Sequence, residues 1–181
     1  MATPTINILE AVNLFIGDHD PTASNHLELE SVSLPTLERP TMNYTSGGSV
    51  GGVDWALDAL NPFTIGYKLK GLNPDRLKLF GFGGFQRLVH TMYGVVRDKH
   101  TNNKVEAKAI VEAAIVKVAP STAARASGMD FDYEAREVVR YGLWISGNRV
   151  HDVNWFTNEL WFGDTNIFAQ NNAILRIPGS S

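Results

Sequence analysis

The sequence predicts a mainly β protein: an antiparallel β-sandwich or small barrel with one short internal helix and one short C-terminal helix. Three observations carry this prediction. Apolar and polar residues alternate over several long segments, most connections between those segments are short polar turns, and only two segments carry helix signals. Strands joined in this way pair antiparallel rather than in a parallel α/β sheet. The length of 181 residues indicates one domain, residues 1–181.

The first two strands are predicted on either side of a polar turn. Apolar side chains alternate over residues 12–16, and the turn follows at residues 17–21. In the next strand the apolar positions change parity near Glu30 and Ser31, which predicts a β-bulge. Pro35 ends this strand because proline cannot donate a hydrogen bond to a β-ladder.

A glycine-rich loop is predicted over residues 35–54, followed by a strand and the internal helix. The strand has the clearest alternation in the chain, over residues 63–70. Asn73 is the expected N-cap of the helix, Pro74 suits its first position, and Gly81 closes it.

Two long strands are predicted next, over residues 87–97 and 104–119. The second has one charged face and one face of small apolar residues, which allows another layer to pack closely. Its charged face consists of Lys104, Glu106, Lys108 and Glu112, and its apolar face of Val105, Ala107, Ala109, Val111, Ala113 and Ile115.

The last third of the chain predicts further strands and the C-terminal helix. A strand over residues 133–146 turns tightly at Ser146–Asn148, and residues 149–162 return as one or two strands. Asp164 or Thr165 is the expected cap of the helix. The apolar residues predicted to share one face of this helix are Ile167, Phe168, Ile174 and Leu175.

Composition excludes several classes of function. The formal net charge is −3, with no basic stripe of the kind that grips nucleic acid. The chain has no cysteine, so disulfides and thiolate chemistry are excluded. No signal peptide or membrane-spanning run is present, which predicts a protein that is made in the cytoplasm and has no membrane partner.

No motif for catalysis, metal or cofactor binding is found. The glycines of GGSVGGVD lack the Lys-Ser/Thr of a phosphate-binding loop, and no pair of histidines has metal-site spacing. We therefore predict no enzymatic activity and no cofactor. The four tryptophans are compatible with a ligand pocket but equally with core or interface anchors.

Several short motifs, in order and spacing, resemble the major tail tube protein of contractile-tailed bacteriophages and R-type bacteriocins. An early strand ends in Leu34-Pro35-Thr36-Leu37, a glycine-containing loop follows, and the next strand leads through Gly71, Asn73 and Pro74 into a short helix. The closing segment NELWFGDTNIFAQNNAILRI is similar to the end of that family, although its usual Asn-Gly-x-Asp step is not clean.

The resemblance implies a structural virion protein without catalysis. Its hexameric rings stack into the inner tail tube inside a contractile sheath, and baseplate and tail terminator proteins are its other partners. DNA passes through the lumen without specific binding, and assembly takes place in the host cytoplasm. Two alternatives remain: the tube of a bacterial secretion or injection system, and a monomeric ligand-binding β-barrel with the loop as a lid.

The resemblance also assigns candidate site residues. Because a loop that cannot pack on its own domain can order against another subunit, inter-subunit or inter-ring contacts are predicted for Pro35, Leu37, Pro40, Tyr44, Gly47, Gly48, Gly51, Gly52 and Trp55. The charged face of the long strand is predicted to line the lumen, through Lys104, Glu106, Lys108 and Glu112. No catalytic or metal-binding residue is assigned.

Overall fold

The computed structural model describes residues 6–17, 21–81, 86–122, 125 and 128–177, so most of the predicted turn at residues 17–21 lies outside it. Within these residues lie eleven strands and two α-helices. Their bounds are β1 Asn7–Ile16, β2 Leu29–Ser33, β3 Thr41–Tyr44, β4 Val53–Ala56, β5 Ile65–Lys70, α1 Pro74–Lys78, β6 Leu88–Asp98, β7 Lys104–Pro120, β8 Asp130–Ile145, β9 Asn148–Asn154, β10 Glu159–Phe162, β11 Thr165–Asn166 and α2 Ala169–Leu175, with a 3-10 turn at Pro21–Ala23.

Nine of these strands form one antiparallel sheet, which confirms the predicted fold class. The main order is β1-β6-β7-β8-β9-β10-β11, and β8 also pairs with β5, which pairs with β2. Strand β8 is long enough to serve two partners on the same edge. Its first part, Asp130–Ala135, pairs with β5, and its last part, Arg140–Ile145, pairs with β9.

The sheet bends around a single apolar core. Leu14 of β1 and Ile65 of β5 come from distant parts of the sheet and belong to the same buried cluster. The predicted small-residue face of β7 is confirmed, since Ala107, Ala109, Val111, Ala113 and Ile115 are all buried. The opposite face of β7 is exposed or half-buried. Small side chains on β7 therefore let the facing part of the sheet pack closely against it.

Register shifts interrupt the pairing of β1 with β6, of β2 with β5, of β7 with β8 and of β8 with β9. The β-bulge predicted near Glu30 and Ser31 is present in β2, where the register shifts between Leu29 and Ser31. A wider bulge lies in β8, because Glu112 pairs with Arg140 while Ala114 pairs with Arg136. Three residues of β8, 137–139, thus lie opposite one residue of β7.

The internal helix begins as predicted, but it ends at Lys78 with Leu79 as its C-cap, earlier than the predicted end at Gly81. Asn73 caps α1, and its Oδ1 accepts a hydrogen bond of 3.1 Å from the backbone N–H of Asp75. Pro74 occupies the first helical position. Gly81 lies just beyond the helix with a φ of 55°, a left-handed conformation that glycine adopts without strain.

The C-terminal helix exists, but its predicted apolar face was wrong. Ile174 and Leu175 are 71% and 65% exposed, and Ile167 is also exposed. The buried residue of α2 is Asn172, whose Nδ2 donates a hydrogen bond of 2.8 Å to the backbone carbonyl of Asn158. The helix has only seven residues, and a polar anchor rather than an apolar stripe attaches it to the sheet.

The segment predicted to be a loop contains a β-hairpin. Strands β3 and β4 pair with each other and with no other described strand. Only residues 45–52 between them form the glycine-rich turn. The prediction of a loop throughout residues 35–54 was therefore wrong for both strands, although the segment does stand apart from the main sheet.

Candidate assembly surface

The hairpin carries an apolar face that no other described part of the chain covers. In its register Met42 lies opposite Trp55, and Tyr44 lies opposite Val53. Side chains two residues apart share a face of a strand, so these four project together. All four are more than half exposed. We call this surface the hairpin face; it consists of Met42, Tyr44, Val53 and Trp55.

Hydrogen bonds extend the hairpin at its base. The backbone N–H of Leu57 donates to the carbonyl of Pro40, at 2.9 Å, and that of Asn61 donates to the carbonyl of Glu38, at 2.8 Å. On the polar side of the hairpin, Asn43 Nδ2 donates to Asp54 Oδ1 at 2.7 Å. The hairpin is therefore ordered by its own pairing, without apolar packing on the main sheet.

The turn of the hairpin contains the four glycines predicted as contact residues. Gly52 has a steric reason to be glycine, because a Cβ there would lie 2.6 Å from Thr45 Oγ1. A Cβ at Gly47, Gly48 or Gly51 would meet open space. At the tip of the turn Val50 is fully exposed.

The predicted contact residues divide into two groups. Tyr44 and Trp55 lie on the hairpin face, and Leu37 is exposed near its base. Pro40 is half-buried and Pro35 is buried, so Pro35 is enclosed within the subunit. Met42 and Val53 belong to the same face but were missed. Strand pairing of the segment would have been needed to find them.

The face of β7 that is predicted to line a lumen is not made of charged residues alone, because the neighbouring strand β6 adds apolar side chains to it. Lys104 and Glu106 are exposed, while Lys108 and Glu112 are half-buried. Lys108 Nζ lies 5.5 Å from the centre of the Tyr93 ring on the neighbouring strand. Strand β6 also contributes Val89 and Val95 to this face, opposite Glu112 and Glu106. Basic, acidic and apolar groups are thus interleaved.

A second surface feature is a groove of 510 Å³ at the root of the hairpin. It lies between the segment that follows the hairpin, residues 58–64, the middle of β8 at residues 136–141, and the end of β9. Phe63 and Tyr141 contact each other in its wall, with ring centroids 5.7 Å apart and ring planes at 76°. No local sequence pattern indicates this groove, since its residues come from four separate segments.

The described residues hold no metal cluster, which leaves the predicted absence of a metal as an expectation. The two buried histidines are core residues. His90 contacts the Tyr67 ring, and His151 contacts the Tyr141 ring. Burial lowers the pKa of His90 to about 4 and lowers that of His151 as well. Neither pKa is therefore shifted toward the neutral value that suits an acid–base catalyst.

The four tryptophans are spread over different surfaces. Trp55 lies on the hairpin face, Trp155 lines the groove, and Trp161 packs against the Arg149 guanidinium at 4.3 Å. Trp144 covers Gly142 within β8. This arrangement does not build one aromatic ligand cavity. None of the described helices is long and apolar enough to cross a membrane.

A β-rich domain with an ordered, apolar and uncovered hairpin has the surface of a subunit that assembles with other chains. The family model of the phage tail tube protein FII matches residues 6–175, and the chain belongs to this family. Its role is that of a structural tail tube protein. A search of curated protein sequences finds no match.

Three solved structures are similar to this chain to different degrees. A chain of the anti-feeding prophage baseplate, six-fold symmetrised, aligns with a TM-score of 0.57 at 12% identity, over 80% of this chain and 97% of that chain. Chains from two structures of an extracellular contractile injection system, PVC, align with TM-scores of 0.48 and 0.49 at 12% and 13% identity. They cover 71% and 73% of this chain and 86% and 94% of theirs. The first match shows a shared fold.

Proposed function

We propose that this protein forms hexameric rings that stack into the inner tube of a contractile phage tail. The rings are surrounded by a sheath and end at baseplate and terminator proteins. The subunits are made in the host cytoplasm and reside in the tail of the virion. The family match supports the tube, and the hairpin face is the observation that carries the mode of assembly.

The hairpin face supplies a driving force for association. Complete burial of a large apolar side chain is worth about 1.5–3 kcal/mol. The four residues of this face are already about half buried, so covering them gains roughly half of that each and offsets part of the cost of association. The hairpin lies outside the core of its own domain. Contacts to another subunit through Tyr44, Trp55 and their two neighbours on this face would remove it from water.

The interleaved face of β7 is the proposed lumen surface. Lys104, Glu106, Lys108 and Glu112 alternate in sign along the strand, so their fields largely cancel beyond the Debye length of about 8 Å. DNA that slides past such a surface releases few counterions and is not held. The chain acts as a conduit without turnover and without a cofactor.

Mass measurement and negative-stain imaging of the purified protein test this proposal. One chain weighs 19.9 kDa, so a six-subunit ring should weigh about 119 kDa, and stacked rings should appear as tubes. Trp55→Ser should reduce assembly, whereas Leu27→Ser should not, since Leu27 is 84% exposed but lies outside the hairpin. A protein that stays near 20 kDa at all concentrations would refute the proposal.

A further inference from the structure

The groove at the root of the hairpin lies where the sheet has a gap. Strand β5 starts opposite Ala135 of β8, and β9 ends opposite Arg140. Between these points neither strand continues the ladder, and only the backbone N–H of Trp155 donates to the carbonyl of Val139, at 2.9 Å. The gap opens onto buried apolar side chains, so its floor is part of the core.

The bulge in β8 shapes the wall of this groove. Residues 137–139 bow out of the ladder, and Glu137 has a φ of 54°, which is uncommon for a residue with a side chain. Arg87 holds Glu137 by an ion pair and lies 5.4 Å from the centre of the Phe156 ring. Strained backbone that its surroundings hold in place is concentrated at binding sites.

Charged groups around the groove are all neutralised by partners. Arg136 pairs with Glu134 at 2.6 Å, and Arg140 pairs with Asp152 at 3.1 Å. The two acidic groups are also paired, Glu137 with Arg87 and Asp58 with Arg39. The groove therefore offers an apolar floor without a free charge on its described rim, and a charged partner would find no counter-ion there.

The hairpin has the matching properties. The one charged side chain of residues 41–56 is Asp54, which lies on the polar side and accepts a hydrogen bond from Asn43, and the hairpin face is apolar. Since the four residues of that face are more than half exposed, the hairpin does not occupy its own groove. We propose that the groove of one subunit receives the hairpin face of a second copy of the chain. This inference rests on the proposed tube assembly and names the surface that completes it.

Such a contact joins two different surfaces and therefore propagates from subunit to subunit. It predicts that residues of the hairpin face lie close to residues of the groove only between chains. The chain contains no cysteine, so an introduced pair is the only thiol pair present. Met42 on the hairpin face and Thr64 on the exposed edge of the groove are suitable positions.

The experiment mixes two single-cysteine chains, Met42→Cys with one tag and Thr64→Cys with another, and oxidises them after assembly. A disulfide requires Cα atoms within about 7 Å, so a two-chain product that carries both tags is expected from this pair. Met42→Cys mixed with His100→Cys is the matched control, because His100 is exposed in the turn between β6 and β7. It should give at least about tenfold less product.

The outcomes separate the two proposals. If tubes form but Met42→Cys links to itself, or equally to Thr64→Cys and His100→Cys, the proposed groove contact is refuted while the proposed tube assembly stands. A parent protein that forms neither rings nor tubes overturns both. If the cysteine chains fail to assemble, hydrogen exchange of the unmodified protein decides. Amides of the hairpin and of residues 136–139 should both become about tenfold slower in tubes, and protection of the hairpin alone would refute the inference.

Discussion

Acidification should destabilise the folded subunit through His90 before most carboxylates protonate. This side chain lies on the core face of β6, 1% exposed, with its ring 5.6 Å from that of Tyr67. Its Nδ1 forms a hydrogen bond of 3.0 Å with the backbone carbonyl of Leu88. Burial disfavours the charged imidazolium and lowers the pKa of His90 from 6.5 to about 4.

The sign and size of the effect follow from this difference. Between pH 6.5 and 4 the unfolded chain binds a proton at this histidine and the folded chain does not, so the free energy of unfolding decreases as the pH falls. Each pH unit is worth about 1.4 kcal/mol, which gives a total loss of about 3 kcal/mol. His151 adds a loss of the same sign, because burial lowers its pKa too.

Carboxylates act in a lower pH range. The hydrogen bond from Thr101 lowers the pKa of Asp98 below its ordinary value of 3.8. The stability that this ionised group contributes is present above that value and is lost as the pH falls through the lowered pKa. A decrease that is complete near pH 4 therefore reports the buried histidines.

Urea unfolding of the monomer at several pH values between 7.5 and 4 measures the effect. His90→Phe should cost about 1 kcal/mol at pH 7.5 through the lost hydrogen bond and should show a smaller pH dependence, with only the part due to His151 remaining. His100→Gln, at an exposed position, should keep the full dependence of the parent. A parent that is equally stable at pH 7.5 and 4.5, or a His90→Phe variant that retains the whole loss, would show that the reasoning is wrong.

Four further predictions concern the sheet, the hairpin and the absence of a site. Ala113→Phe should overpack the core and lower the free energy of unfolding by about 1–3 kcal/mol or more. Glu112→Gln, on the other face of β7, should change it by less than about 0.5 kcal/mol. If Ala113→Phe folds normally and Glu112→Gln does not, the two faces of β7 are reversed. Gly142→Ala should displace the Trp144 ring, which a Cβ would contact, and lower the thermal midpoint; an unchanged midpoint and tryptophan spectrum would argue against this close packing. Amides of Thr41–Ala56 should exchange quickly in the subunit and about tenfold or more slowly in tubes, and strong protection in both states would contradict a role in assembly. Elemental analysis of native protein should find no stoichiometric zinc or iron, and one equivalent of either metal would overturn the predicted absence of a metal site.

The strands of the main sheet could be predicted because their burial is one-sided. Strand β7 alternates between buried small apolar residues and exposed or half-buried residues from Glu106 to Ile115. Strand β5 alternates between buried Ile65, Tyr67 and Leu69 and less buried neighbours. In such segments a two-residue period follows directly from the sheet. The capping of α1 by Asn73 was predictable for a similarly local reason, since the side chain bonds to the backbone two residues later.

The hairpin and the groove could not be predicted in the same way. Strands β3 and β4 have no buried face, so alternation in Met42–Tyr44 gives no contrast with the turn that follows. The groove depends on the bulge at residues 137–139, and this bulge is defined only by how β8 pairs with β7. The pattern of β8 alone does not show it. The prediction of an apolar face on the C-terminal helix failed for another reason. Asn172 is the buried residue of this helix, and a search for apolar periodicity does not detect a polar buried residue.

The exposure of the hairpin face is a hazard as well as a means of assembly. Unpaired strand edges beside apolar side chains promote uncontrolled association, and proteins limit this with short strands and sharp turns. Strands β3 and β4 have only four residues each, and the glycine-rich turn between them cannot extend the ladder. An isolated two-stranded hairpin is marginally stable in water. It should therefore gain stability only when a shaped partner covers it, which favours association through a defined groove over unspecific stacking of edges.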